Sequence, residues 1–224
     1  MAILRDAEVL SAIAHEGTAD YSSWVLPNAG QSLKASGLRL RDVDLFAVAA
    51  GPGSFTGVRI GLTTVKAWSE AYGKPIASVS RLETMAAQVA GESSYVAAFL
   101  DAHRDQVFGG LYRREGANLR AVESEMVATP AALLDWVKQR SANESVSWIS
   151  MDPEKVTTED AWRERAEHGE NVELSTSVLA PMIGRIGRMR ALEGRLTDAL
   201  GLDAEYVRRP DAEVFWKGKA KGGD

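Results

Sequence analysis

The 224-residue chain has no cysteine, which excludes disulfides, zinc–thiolate clusters and a cysteine nucleophile, and fits a reducing, cytoplasmic compartment. Histidine is nearly as scarce. His15, His103 and His168 are far apart, and none has the His-x-x-x-His spacing that sets two imidazoles on one helical face for a metal. Each is read as a surface or turn residue. No apolar run approaches the ~18 residues of a membrane span, and the mixed start at Arg5, Asp6 and Glu8 is no signal peptide. A basic surplus is missing too: the formal net charge of -5 argues against a stand-alone nucleic-acid binder. No internal repeat or low-complexity tract stands out.

What remains is ordinary globular material, 45% hydrophobic and 25% charged, enough to bury a real core in one or two compact units. Ile3-Leu4 and Val9 to Ala14 read as a hairpin across Arg5 to Ala7. A helix follows from about Asp20 to Ser36, which Pro27 should kink or interrupt and Gly37 ends. Leu45 to Ala50 reads as a buried strand, Thr56 to Tyr72 as a helix stopped by Gly73 and Pro75, and Ile76 to Val79 as another strand. Ser80 and Glu83 have the spacing of a capping box that starts the next helix. Strands separated by helices imply a parallel component in the sheet.

After about Ser93 the pattern changes, so residues 1–93 are expected to form one lobe and 94–224 a second. In the second, Tyr95 to Asp101 and Gln106 to Tyr112 form a hairpin. Thr129 and Pro130 cap a helix through Arg140 with Leu133, Leu134 and Val137 on one face. Ser145 to Met151 is a strand candidate, and Ser177 to about Gly194 a helix with Leu179, Met182, Ile183 and Ile186 as its apolar stripe. The polar tail from Lys217 is expected to be disordered.

The densest signal is Gly51-Pro52-Gly53-Ser54-Phe55-Thr56-Gly57-Val58-Arg59, between the buried strand and the helix after it. Pro52 fixes one φ, Gly51 and Gly53 allow positive φ or close backbone approach, and Gly57 sits at a helix start. A Walker loop would need Lys-Ser/Thr after its last glycine, and Val58-Arg59 stand there. The dinucleotide fingerprint fails because Gly57 is one residue too far on. Backbone amides with Arg59 one turn in could still attract an anion, while a tight ligand-free turn accounts for the same residues. Ser54 and Thr56 lack a base and lie out of frame for a nucleophile elbow, so helix capping explains them. Asp101 and Asp105 read as turn residues. Arg185, Arg188, Arg190 and Arg195, with Arg208 and Arg209, are candidates for RNA phosphate or a solvated face.

The Gly51 to Gly61 run resembles the hallmark of the TsaB (YeaZ) family. Asp101-Ala102-His103-Arg104-Asp105-Gln106-Val107-Phe108 and Tyr206-Val207-Arg208-Arg209-Pro210-Asp211-Ala212-Glu213 resemble two further stretches of it, in order along the chain. The resemblance implies a two-lobed α/β fold of the actin-like ATPase superfamily, with mixed sheets flanked by helices. It implies a non-catalytic partner in making threonylcarbamoyladenosine beside the tRNA anticodon, heterodimerising with a catalytic, TsaD-like paralogue and joined by a TsaE-like ATPase. It implies no catalytic residue, no metal and no intrinsic cofactor, with ATP or ADP admissible at the heterodimer interface. The partner face is then expected on the Gly51 to Arg59 loop (Gly51, Pro52, Gly53, Ser54, Phe55, Thr56, Gly57, Arg59) and on the first two helices with Trp24 and Trp68. Relative to the family, an opening strand with an Asp-Thr-Ser turn is expected but not found. A glycoprotease-type peptidase and a self-associating nucleotide-binding module are the alternatives.

Overall fold

A computed structural model describes residues 1–15, 20–116, 118–142, 144–204 and 207. The first strands, β1 (Ala2–Arg5) and β2 (Glu8–Ala12), make an antiparallel hairpin whose turn places Asp6 at φ 54°. Helix α1 (Tyr21–Ala35) follows. It runs through Pro27 without a break, contrary to the expected interruption. The proline removes one amide donor on an exposed stretch, where water can satisfy the carbonyl of Ser23. A short 3₁₀ turn, Leu40–Asp42, precedes β3 (Phe46–Gly51); α2 (Phe55–Tyr72) and β4 (Ile76–Ser80) come next. Strands β3 and β4 pair in parallel, as strand–helix–strand order demands, and Thr197 bridges antiparallel to Ile76.

Two signals act as read from the sequence. Gly73 ends α2 at φ 62°, and its amide donates to the Ser69 carbonyl. The Ser80 hydroxyl accepts from the amides of Leu82 and Glu83 to start α3 (Arg81–Ala86). The capping box is incomplete, however. Glu83 pairs with Arg190 instead of reaching back, because a cation from a distant helix outcompetes a neutral amide for the carboxylate.

The rest of the chain builds a six-stranded mixed sheet. Strands β5 (Tyr95–His103) and β6 (Gln106–Glu115) form its central hairpin. Beyond β6 lie β7 (Asn118–Ala121) and β8 (Met126–Ala128); beyond β5 lie β9 (Val146–Ser150) and β10 (Val172–Leu174), both joined in parallel. Thr129 caps α4 (Pro130–Ser141), and the short α5 (Glu154–Thr157) and α6 (Trp162–Glu167) connect β9 to β10. Phe99, Leu111, Leu133, Val137, Trp148 and Trp162 fill one face of this sheet; Trp148 meets Trp162 edge-on at 5.4 Å. Leu82, Met85, Val96, Leu100 and Ile149 fill the other.

Helix α7 (Ala180–Leu192) packs against both small sheets. Its inner face is the expected stripe only in part: Leu179 is buried at its start, and glycines make the closest contacts. Gly184 lies against Leu4, where a Cβ would sit 2.9 Å from a methyl of that leucine, and Gly187 against Ala47 and Ala77, where a Cβ would come within 2.6 Å of the Ala47 Cβ. Ile183 reaches the core beside them, whereas Met182 and Ile186 line an open cleft. The hairpin β1–β2 and the pair β3–β4 thus lie under one helix without sharing a ladder. The mixed sheets flanked by helices are those of an actin-like ATPase fold.

Candidate functional site

The Gly51 to Arg59 run connects β3 to α2, at the carboxyl ends of the parallel strands, where open α/β sheets place binding crevices. Gly51 takes φ 135°, a conformation suited to glycine, and the Gly51–Pro52 bond is cis. Both residues are buried. Gly53 serves a different end: a Cβ there would sit 3.2 Å from Nη1 of Arg81, so its bare Cα gives that guanidinium room.

Ser54 is the cap of α2, accepting from the Gly57 amide at 3.4 Å; Thr56 lies inside the helix. Phe55 remains exposed, and the Arg59 guanidinium lies 3.7 Å from its ring centroid. Gly57 has open surroundings, with only Ser54 atoms at 3.7 Å from a Cβ built there.

The two expected tryptophans differ. Trp24 on α1 is half-buried against His15, with ring centroids 5.3 Å apart, and His15 also stacks on Tyr21 at 4.4 Å. His15 is therefore an aromatic neighbour, not the plain surface residue expected. Trp68 on α2 is also half-buried, but packs on Phe46 at 5.7 Å at the edge of the core. Trp216 lies outside the described residues. Four of the eight exposed large apolar side chains among the described residues are on these helices: Tyr21, Leu26, Phe55 and Tyr72.

On the turn of the β5–β6 hairpin, His103, Arg104 and Asp105 all have positive φ, between 54° and 59°. Asp101 stabilises this turn by accepting from the His103 amide at 2.7 Å and pairing with Lys155 at 3.1 Å. Partial desolvation pushes its carboxyl upward, but the His103 amide and the Lys155 ammonium together hold it below the usual range. The same pairing raises Lys155.

Sequence reasoning missed one polar cluster. A cleft of about 1020 Å³ is lined by Ser80, Glu83, Tyr112, Glu125, Arg190 and the apolar edge of α7. Glu125 accepts from both Ser80 and Tyr112. Burial, reinforced by the nearby Glu125 charge, raises the Tyr112 phenol well above its ordinary value. The Ser80 oxygen is committed to two amides and a carboxylate, so it serves as a cap and not as a nucleophile. Only the capping serine was legible in the sequence. Arg190 belongs to this cluster and Arg188 pairs with Asp6, so neither lies on a free basic face. Arg208 and Arg209 lie outside the described residues.

The family model described as TsaD, tRNA N6-adenosine threonylcarbamoyltransferase, matches residues 9–162. A tRNA threonylcarbamoyladenosine biosynthesis protein TsaB of Escherichia coli is 30% identical over 205 residues, covering 88% of this chain and 84% of that protein. The chain belongs to the TsaB/YeaZ family. The Bacillus subtilis TsaB is 29% identical over 220 residues, 96% of this chain and 92% of its own length. A crystal structure of an uncharacterised Pseudomonas aeruginosa protein, described as similar to peptidase YeaZ, superposes with a TM-score of 0.67. It is 24% identical and covers 88% of this chain and 93% of that one, which speaks to the fold. Within the family frame, the Gly51 to Arg59 loop and the first two helices form one candidate site, and the cleft beside α7 another.

No helix among the described residues is long and apolar enough to cross a membrane, and no group of three acidic or histidine side chains among them is placed to hold a metal.

Proposed function

We propose that this chain is the non-catalytic partner subunit in tRNA threonylcarbamoyladenosine synthesis, acting in the cytoplasm by docking on a catalytic, TsaD-like transferase. Its two lobes divide near residue 93, and the first lobe carries the docking face. The carrying observation is the exposure of Tyr21 (49%) and Leu26 (59%) on α1 and of Phe55 (43%) and Tyr72 (41%) on α2. Aromatic and leucine side chains left in solvent on adjacent elements supply the anchors that a protein interface buries. Gly57 adds an unobstructed entry at the start of α2.

In this reading a TsaE-like ATPase and the tRNA are reached through the complex, and ATP or ADP, where it takes part, sits at the heterodimer interface. The curated relatives, named for biosynthesis of the modified nucleoside, favour this role over a peptidase. The capping duty of Ser54 also leaves that hydroxyl without a base. The test is light scattering on the chain mixed with the catalytic paralogue of the same organism, beside Gly57→Trp. A heterodimer formed by the parent and lost in the variant supports the reading; a parent that stays apart from the paralogue overturns it.

A further inference from the structure

Three of the eight exposed large apolar side chains among the described residues, Met189, Leu192 and Leu200, stand at the end of α7 and just beyond it. Met182, Ile186 and Met189 have the i, i+4, i+7 spacing of one helical stripe, and all three line the cleft of about 1020 Å³ beside that helix. The charged floor of the cleft is paired within itself: Glu125 accepts from Ser80 and Tyr112, and Glu83 holds Arg190. The wall formed by α7 is therefore the part that still presents apolar surface to water. With a volume at the upper end of what binding pockets reach, the cleft has room for several side chains.

The chain itself arrives there. Val207, the last described residue, is among those lining the cleft, and residues 208–224 continue from it. They contain one apolar run, Val214-Phe215-Trp216, between Glu213 and Lys217. Phe215 is eight positions on from Val207, about 26 Å of extended chain, whereas the stripe from Met182 to Met189 is about 10 Å long. The run can therefore reach any point along that wall. The chemistry matches as well. A thioether adapts its shape and makes favourable contacts with aromatic rings, so two methionines flanking an isoleucine suit a phenylalanine and a tryptophan. Each ring laid on such a wall also takes a large apolar area out of water.

We propose that residues 212–216 of the same chain cover this cleft, with Phe215 and Trp216 laid against Met182, Ile186 and Met189. A short tether holds the run at an effective concentration in the millimolar range, so a contact too weak to form between separate molecules closes within one chain. The contact belongs to the isolated chain and stands or falls apart from the partner reading.

The absence of cysteine makes this testable by disulfide trapping in the full chain. Val214→Cys is combined in turn with Met182→Cys, with Met189→Cys and, on α1, with Leu26→Cys, and oxidation by glutathione disulfide is followed on non-reducing gels. Cross-linking within one chain is expected about tenfold faster with Met182→Cys or Met189→Cys than with Leu26→Cys. Equal rates overturn the proposal. A product that forms only between two chains also overturns it, and assigns the cleft to the tail of a second copy. Peroxide oxidation of the chain with its own methionines gives a second reading that does not depend on the cysteine variants. Phe215→Asp combined with Trp216→Asp should speed sulfoxide formation at Met182 and Met189 severalfold, read by mass spectrometry, and leave Met151 unchanged. Unchanged rates at Met182 and Met189 overturn the proposal.

Discussion

The six-stranded sheet and the pair of two-stranded sheets meet the elements that cover them in different ways. The large sheet has both faces covered by bulky side chains, with Phe99 and Trp148 fully buried and Trp162 nearly so. The small sheets are held under α7 by the smallest contacts available: Gly187 on Ala47 and Ala77, and Gly184 on Leu4. The β3–β4 pair has an apolar core of its own against α2 (Phe46, Val48, Leu62, Val65 and Ile76), but its α7 side depends on closeness of approach rather than on buried area. The second arrangement leaves α1 and α2 with large apolar side chains in water, and it is the region that also carries the Gly51 to Arg59 loop. In the reading proposed above, bulk packing and recognition are thus divided between the two regions.

That division can be broken from either side. Trp148→Ala, in the large sheet, should cost about 3–5 kcal/mol in urea unfolding, because it opens a cavity and also removes the Nε1 donor to Glu170. Gly187→Val should cost about 3 kcal/mol by forcing α7 off Ala47, although it deletes nothing. An equal loss from Gly187→Val and from Gly184→Ala would erase the distinction, since Leu4 presents a flexible side-chain end and Ala47 a rigid one.

Glu83→Gln, which cuts the pair with Arg190, should cost roughly 1–2 kcal/mol, less than a fully buried pair because both side chains keep some solvent contact. Leu26→Asp should shift stability by no more than about 0.5 kcal/mol while abolishing association with the catalytic paralogue, read by light scattering.

The smallest effect is in pH dependence. Tyr112 keeps its proton in the folded chain beyond the ordinary phenol value, so its contribution is complete below about pH 10 and falls away as pH rises from there toward the raised folded value. Tyr112→Phe should remove that alkaline limb from the denaturation profile. Asp101 acts at the other end. Its depressed carboxyl contributes fully above about pH 4 and is lost as pH falls through the lower folded value, so Asp101→Asn should flatten the acid limb.

What the sequence made legible was local chemistry. The Ser80 and Thr129 caps, the Gly73 stop and the β5–β6 hairpin each depend on residues within a few positions of one another. The strand–helix–strand order around the Gly51 to Arg59 loop gave the parallel pair in the same way. What stayed hidden depends on distant partners. Nothing near Glu83 announces Arg190, which is 107 residues away, and the apolar stripe that located α7 does not reveal that Gly184 and Gly187 make its closest contacts. The neighbours of Arg81, Gly53 and Met151, likewise come from other elements. Short pieces such as α5, α6 and β10 have too few residues for periodicity to register.

The packing of Leu4 on Gly184 and of Asp6 on Arg188 sets a timetable for synthesis. The hairpin leaves the ribosome well before its supporting helix, with the whole six-stranded sheet encoded between them. At about 5–20 residues per second, the hairpin waits roughly ten to forty seconds before α7 exists to cover it. The six-stranded sheet can close in that interval without it. The nascent chain therefore carries a strand pair covered by α1 alone while the large sheet is made, and a slow codon or pause after β10 would lengthen the period in which the α7 side of that pair is open to holdase chaperones.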